Sequence, residues 1–461
     1  MLLSILKKLI VRRIMKRPEA PPEVSLADKV KLLTKIMPRT SELQDILHQA
    51  STEYLPWHKF KYLPVPNGLS SEEAWAFVKL ERMGGRTSLP LISIQGSAFS
   101  LQVTNEMHRL LRIIDMQAGG SFLSIGDKTN INDMLGEESR SRFLVSSLME
   151  EAIASSQIEG ASTTRRIAKE MLNSGRKPHD TSERMIVNNY LTMQSLKVIK
   201  TEKISPELLL GIQAMLTEET LEHPEDAGRF RTNNDNISVI DGSDNSILFT
   251  PPKEEMMLRG LHKLCEFAND NDEEYFHPVI KAIILHFWLA YLHPFPDGNG
   301  RTARALFYLY LLAHGYWMVE YMSISSVIKK RRASYDKSYL NVEDDENDLG
   351  YFILFNLQCI DAALKQLQQH IEKKAQATRK HLRILSAYPQ LNSRQKAVLT
   401  TALEKPNTTF SLEVHQRKFA IAYATARSDL LELENLGLLT KEKAGRAFLF
   451  RSSPALLHEQ A

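Results

Sequence analysis

Cysteine is nearly absent: Cys265 and Cys359 are the two in 461 residues, each alone in an apolar, helix-like context. A disulfide framework is therefore excluded, as is a metal site built on paired thiolates, and the pattern fits a reducing cytoplasm. A dominant charge of one sign is missing too. Lys and Arg total 58 against 55 Asp and Glu, a formal charge of +3. Overall electrostatics thus call for neither a nucleic-acid nor a membrane partner, although a local patch still could. Long hydrophobic runs are also lacking. Val279 to Phe295, the longest, is interrupted by Lys281, His286 and His293, which marks a buried helix and argues against stable membrane association. Met1–Arg17 is basic and apolar, without the unbroken apolar core and small-residue cleavage site of a signal peptide. It reads as a terminal extension, with Met15 as an alternative start, in preference to a membrane-surface helix. What remains, 43% hydrophobic and 25% charged, is a globular composition long enough for two or three domains.

The pattern is mostly α. After the stiff entry Pro18–Pro22, residues up to about Gly120 mix helical segments, such as Ala27–Met37 and Ser71–Met83, with short loops. No spacing there carries chemistry, so this region is expected to be scaffold or partner-docking surface. From Ile131 to Gly160, Phe143, Leu144, Leu148, Ile153 and Ile158 recur at helical intervals. Ser205 is an N-cap ahead of Pro206, opening a helix to Glu219. Gly228–Pro252 changes character. Ile237–Ile240, a polar turn over Asp241–Asn245 and Ile247–Phe249, stopped by Pro251 and Pro252, predict a β-hairpin. His277–Leu292 and Thr302–Ala313 are apolar helices flanking a loop, and a long amphipathic helix runs from Leu349 toward Ser386. Pro389–Ser393 marks a boundary. Beyond it, helices over Arg394–Leu403, Ser411–Gln416 and Tyr423–Leu436, then a hairpin over Leu438–Arg451, follow the order of a winged helix-turn-helix. The expected domains are 1–120, 121–388 and 389–461.

Chemistry concentrates in the loop His293-Pro294-Phe295-Pro296-Asp297-Gly298-Asn299-Gly300-Arg301-Thr302-Ala303-Arg304. Two glycines flank Asn299, so the backbone can turn several N–H groups inward at the start of the next helix, where the dipole favours an anion. Arg301 and Arg304 follow at neighbouring helical positions, and their planar forks suit phosphate oxygens. Asp297 supplies a carboxylate of the kind Mg²⁺ takes while keeping several waters. His293 can be neutral near pH 7 and accept a proton from an attacking hydroxyl. Singly, each feature is commonplace: a capping histidine, a turn, a solvated pair of arginines. Together, between two apolar helices, they are hard to explain as packing and fit phosphoryl-type transfer.

This segment resembles the core signature of the Fic family, His-Pro-Phe-x-(Asp/Glu)-Gly-Asn-Gly-Arg-x-x-Arg, at every fixed position. The resemblance covers roughly Phe143 to Gln369. It implies a Fic-type helical bundle with a β-hairpin flap over 228–252, and transfer of AMP from ATP, with Mg²⁺, to a Tyr, Thr or Ser hydroxyl of a protein. Under it, His293 is the general base and Asp297 holds the metal, while Gly298, Asn299, Gly300, Arg301, Thr302 and Arg304 bind the nucleotide. Ile240, Asp241 and Gly242 of the flap would lie near the nucleotide, with the flap's edge strand aligning the target. Tyr335 occupies the place of one of a pair of tyrosines that line the adenosine pocket in relatives, and Ser334 stands where the other would be. Upstream, Ser155-Ser156-Gln157-Ile158-Glu159-Gly160 matches the family's inhibitory motif, (Ser/Thr)-x-x-x-Glu-(Gly/Asn). By that match an inhibitory helix spans about 142–160, and Glu159, with Ser155, pairs with Arg304 to hold the enzyme off.

The resemblance also implies self-modification, and it leaves transfer of another nucleotide, or removal of AMP, open. A second function class is a DNA-binding regulator reading through Tyr423–Leu436, with Arg417, Lys418 and Arg427 near or on that helix. Asp429, Glu432 and Glu434 count against it, and a protein-interaction or homodimer role for residues 389–461 is equally supported.

Overall fold

A helix that is apolar on every side must sit in the middle of its domain, and this chain has two. The computed structural model describes residues 17–23, 32–119, 137–240, 246–269, 275–405, 407–444 and 447–456. The N-terminal extension through Lys16, the start of the Ala27–Met37 segment and the polar turn Asp241–Asn245 lie outside the described residues. The chain divides into two compact units, Met1–Leu367 and Gln368–Ala461.

In the first unit the main helices and the strands run, in order, α1 (Thr40–Thr52), α2 (Ser71–Met83), β1 (Thr87–Ile92), β2 (Ala98–Leu101), α3 (Asn105–Ile114), α4 (Glu137–Ile158) and α5 (Arg165–Ser174). They continue with α6 (Thr181–Ile199), α7 (Pro206–Thr217), β3 (Val239–Ile240), β4 (Ile247–Phe249), α8 (Glu254–Asn269), α9 (Pro278–Leu292) and α10 (Asn299–Ala313). The unit closes with α11 (Ile324–Lys330), α12 (Arg332–Asp344) and α13 (Gly350–Ser386), which runs on into the second unit. The fold is mostly helical, with two small antiparallel hairpins, β1–β2 and β3–β4.

The central pair is α9 and α10. Ile283, Ile284, Leu285, Phe287 and Trp288 of α9 are fully buried. Each such side chain gains about 1.5–3 kcal/mol on burial, so α9 is a rigid mount for the loop that follows it. His277 caps α9, its Nδ1 accepting from Val279 N at 3.2 Å, with Pro278 at the first helical position. Helices α4, α6 and α7 pack around α10, and α8 packs on α9.

Two regions hold this bundle in ways the sequence does not advertise. Glu151, in the middle of α4, is buried and accepts from Ser325 N at 2.9 Å and Ser323 Oγ at 3.1 Å, which ties α4 to the N-terminus of α11. A buried charge cluster then joins α2 to the turn between α12 and α13. Lys79 Nζ lies 2.8 Å from Asp345, Arg86 Nη2 donates to Asp348 at 2.9 Å, and Arg82 stacks on Tyr54 at 4.0 Å. The β1–β2 hairpin was not expected; Pro90 stands in the middle of β1, and as one strand of a two-stranded ribbon β1 has an unpaired edge where a missing N–H is tolerated.

The second unit carries α14 (Ser393–Glu404), β5 (Phe410–Ser411), α15 (Leu412–Phe419), α16 (Tyr423–Asn435), β6 (Leu439–Ala444) and β7 (Ala447–Ser452). Its three strands form one antiparallel sheet in the order β5-β7-β6 over a core that includes Leu399, Leu430, Leu433 and Phe450. Two details differ from expectation. Ser411 is the N-cap of α15 and not a helical residue, and the helix runs on to Phe419. Asp429 faces inward, where it accepts from Arg394 Nε at 2.7 Å and lies 3.0 Å from His415 Nε2. No helix among the described residues is long and apolar enough to cross a membrane.

Candidate active site

The loop between α9 and α10 is held by side chains distant in sequence. His293 ends α9 in the left-handed region, with φ +48° and ψ +56°. That conformation costs a non-glycine residue roughly 1–2 kcal/mol, so something must hold it. Arg231 does. Its Nε donates to His293 O at 2.6 Å, its Nη2 to Pro252 O at 2.5 Å and to Leu292 O at 3.2 Å, and its backbone N to Pro294 O at 2.9 Å. Asn299 closes the loop on itself, accepting from Phe295 N at 2.9 Å and donating to Phe295 O at 2.8 Å. Gly298 takes φ +85°, and a Cβ there would meet the Thr217 methyl at 2.8 Å, so α7 packs directly on the turn. Gln213 of α7 donates to Asp297 O at 3.1 Å and accepts from Gly228 N at 2.6 Å, linking the turn to the root of the hairpin.

Around the loop opens a cavity of about 480 Å³. Glu159, His293, Gly300, Arg304 and Arg332 line its polar side; Ile240, Phe249, Tyr291, Tyr335, Tyr339 and Glu343 are among those on the rest of the wall. Arg304, buried, donates through Nε to Ser155 Oγ and through Nη2 to Ser155 O, both at 2.9 Å, and its Nη1 lies 2.9 Å from Glu159 Oε1. Glu159 is the first residue after α4. Burial pushes its carboxyl up, but Arg304 and then Arg332 outweigh that and hold it below the usual glutamate value. His293 is held down, chiefly by burial. Its Nδ1 sits 3.2 Å from the carbonyl of Ala290. A carbonyl only accepts, so Nδ1 carries the hydrogen and Nε2 keeps its lone pair.

The expected site residues divide. His293, Gly300, Arg304, Glu159, Ile240 and Tyr335 share the cavity wall. Gly298, Asn299, Arg301 and Thr302 do not line it. Thr302 Oγ1 donates back to Gly298 O at 2.9 Å, and the buried Arg301 donates from Nη1 to Leu216 O at 2.8 Å; their side chains brace the turn. Asp297 stands exposed, with Oδ1 accepting from Gly298 N at 2.5 Å and Oδ2 3.6 Å from Arg301 Nη2. Asp241 and Gly242 lie outside the described residues. Tyr335 is joined by a second tyrosine that sequence reasoning missed: Tyr339, one helical turn on, with hydroxyls 3.0 Å apart and Tyr335 also 3.0 Å from His286 Nε2. Burial, then Arg304, drives His286 down to about 3, so it stays neutral. The spacing of four between the tyrosines was a readable signal. Arg231 and Gln213 had none, since they grip backbone atoms far along the chain.

Residues 203–311 match the family model described as Fic/DOC family, which marks a Fic-type domain over that stretch of the chain. Over 173 residues it is 28% identical to a Nematostella vectensis protein named protein adenylyltransferase Fic, covering 37% of this chain and 36% of that one. Over 93 residues it is 37% identical to the Caenorhabditis elegans protein adenylyltransferase fic-1, covering 20% of this chain and 16% of that one. The chain thus spans well under half the length of these relatives. A solved Fic family protein from Desulfovibrio desulfuricans G20 superposes with a TM-score of 0.51 at 17% identity, over 75% of this chain and 94% of that one, a likeness of fold.

Proposed function

We propose that this protein transfers AMP from ATP to a hydroxyl of a protein, itself included, and that Glu159 restrains it. The supporting observation is the pairing of Glu159 with Arg304 at 2.9 Å on the wall that also carries His293 and Gly300. In this reading the outer phosphates take the place of the Glu159 carboxylate on Arg304, and the α-phosphate lies by His293. Nε2 of His293 removes the proton of the target hydroxyl. The hydroxyl oxygen forms a bond to the α-phosphorus as the bond from that phosphorus to the bridging oxygen breaks, and pyrophosphate leaves.

Among the described residues no three metal-ligating side chains cluster. Asp297 is a single exposed carboxylate beside the glycine turn, which fits Mg²⁺, an ion held by one or two carboxylates, waters and substrate phosphates. Bound there, the ion would neutralise charge on the phosphates.

The restraint is electrostatic competition. Keeping the active form near 1% needs about 2.7 kcal/mol, half the swing from 1:99 to 99:1. Arg304 is buried but the Glu159 side chain is 31% exposed, so the cost of breaking a fully buried pair, about 3–5 kcal/mol, is an upper bound, and about half of the larger figure meets the need. Incubation with ATP labelled in the α-phosphate tests the reading: Glu159→Gly incorporates label into itself faster than wild type, and His293→Ala in that background abolishes it. A Glu159→Gly variant no faster than wild type defeats the restraint.

For the second unit, one observation favours a DNA contact more than the sequence does. With Asp429 turned inward, the exposed charged and aromatic side chains leading into and starting α16 are Arg417, Lys418, Tyr423 and Arg427, with Glu432 exposed further along. A gel shift of the full chain at rising salt checks this: binding that falls steeply with salt and weakens in Arg427→Ala supports it, and no binding at low salt removes it.

A further inference from the structure

Helix α12 presents Tyr335, Tyr339 and Glu343 to the cavity at successive spacings of four, one residue per turn along one face. The tyrosines bond to each other and to His286. Glu343 is different. It is half-buried, and among the described residues its carboxyl has neither a hydrogen-bond nor an ion-pair partner. Its neighbour Asp344 is taken by Arg17 at 2.6 Å. A partly buried carboxyl on the cavity wall with no protein partner is left available to a group bound there.

The position along α12 says what that is. Arg332, at the start of the helix, reaches the carbonyl of Ile158 beside Glu159. Glu343 lies eleven positions after Arg332, about 16 Å of helix at about 1.5 Å each. One end of the cavity therefore faces the Arg304 and Glu159 pair, and the other is formed by Glu343 with Leu248, Phe249 and Tyr291. A nucleotide with its phosphates at Arg304 and Gly300 lays its base at the second end.

We propose that Glu343 reads the edge of the nucleobase and sets which purine the cavity accepts. The inference rests on the nucleotide reading of the cavity given above. Adenine offers an amine donor next to a ring-nitrogen acceptor, which a protonated carboxyl matches with its O–H donor and carbonyl acceptor. Guanine offers two adjacent donors, its ring N–H and its amine, which an ionised carboxylate matches with two acceptors. The protonation state of Glu343 thereby chooses between the bases.

The surroundings put that choice near neutrality. Burial raises the carboxyl to about 7; Arg17, from the N-terminal stretch, opposes this, and Asp344 on the same helix adds to it. Tyr291, from α9, and Tyr339, one turn back on α12, also stand near it; burial lifts Tyr291 to about 12 and raises Tyr339 well above the usual tyrosine value, so both stay neutral throughout. Below pH 7 Glu343 is mostly protonated and adenine is favoured; above pH 7 it is mostly ionised and guanine gains.

Calorimetric binding of ADP and GDP to the full chain at pH 6, 7 and 8 tests this. Diphosphates avoid turnover and leave the γ-phosphate out of the comparison with Glu159. Both carry the same phosphates, so titration at that end of the cavity cancels in their affinity ratio. If each base needs its own protonation state, the ADP-to-GDP ratio falls about tenfold per pH unit, since apparent affinity scales with the competent fraction. Glu343→Gln, which keeps one donor and one acceptor at every pH, is expected to prefer ADP with a ratio that no longer moves; Glu343→Leu loses both the preference and its pH dependence. Binding whose ratio stays flat in wild type, or moves equally in Glu343→Gln, overturns the role of Glu343 and leaves the nucleotide cavity standing. Binding of neither diphosphate at any pH overturns both.

Discussion

The carboxylate of Glu159 occupies the space that a Cβ on residue 300 would fill. Gly300 is helical, with no backbone conformation that demands glycine; its need for a bare Cα comes from Glu159. In the proposed reading substrate phosphates would approach the helix N-terminus over that same atom, so Glu159 and substrate would contest one spot.

Gly300→Ala should therefore push the Glu159 carboxylate, the far end of a flexible side chain, off Arg304, at a net cost of about 1 kcal/mol once the helix preference of alanine is counted. Glu159→Gly on top should recover most of that loss. Thermal unfolding of the two single variants and the double variant measures the coupling, and additive losses would mean the two residues do not meet.

The pH profile of AMP transfer should retain activity below the ordinary histidine range. A general base works when neutral, and burial lowers the value of His293, so its protonation and the acid limb fall below pH 6.5. The profile of kcat/KM in the Glu159→Gly, Glu343→Gln variant isolates this limb, because Glu343 no longer titrates. A limb centred above 6.5 contradicts the assignment.

Arg231 grips the loop through three carbonyls. Arg231→Ala leaves buried acceptors unmet, at about 1–3 kcal/mol each. It is expected to lower the melting temperature by several degrees and cut labelling in the Glu159→Gly background, while Arg231→Lys, which cannot fork, recovers little. Full labelling by Arg231→Ala would show that the left-handed turn at His293 needs no clamp.

In the second unit, burial disfavours the charged form of Asp429, but hydrogen bonds from Arg394, His415 and Asn392 prevail and hold it at about 2. A depressed carboxylate stabilises above its unfolded value and ceases to as pH falls through the folded one. Against an ordinary 3.8, that is about 2 kcal/mol at neutral pH. Asp429→Asn should weaken hydrogen-exchange protection of α16 by that amount at pH 7, and by almost nothing near pH 2. Equal effects at both values would contradict the pairing.

What could be read in advance follows from where the signals lie. The α9–loop–α10 unit was legible because all-round hydrophobicity and a dense polar loop are local properties, as were the cap at Ser205 and the hairpin strands about Ile240 and Ile247. The juxtaposition of Glu159 with Arg304 was legible through a family motif, since the long intervening chain carries no physical signal of contact. Arg231, Gln213 and Glu151 escaped for the related reason that side chains gripping distant backbone leave no periodicity. Asp429 was misjudged as surface charge. Yet Ala426, Leu430 and Leu433 mark the buried stripe of α16, and Asp429 sits beside it.

The central claim, that this cavity moves a nucleotide and not a phosphate, is tested most directly by incubating Glu159→Gly with ATP and Mg²⁺, labelled in parallel at the α- and γ-phosphates. The account predicts α-label on the protein and γ-label only in released pyrophosphate. Label from the γ-phosphate on the protein, or from neither position, contradicts it.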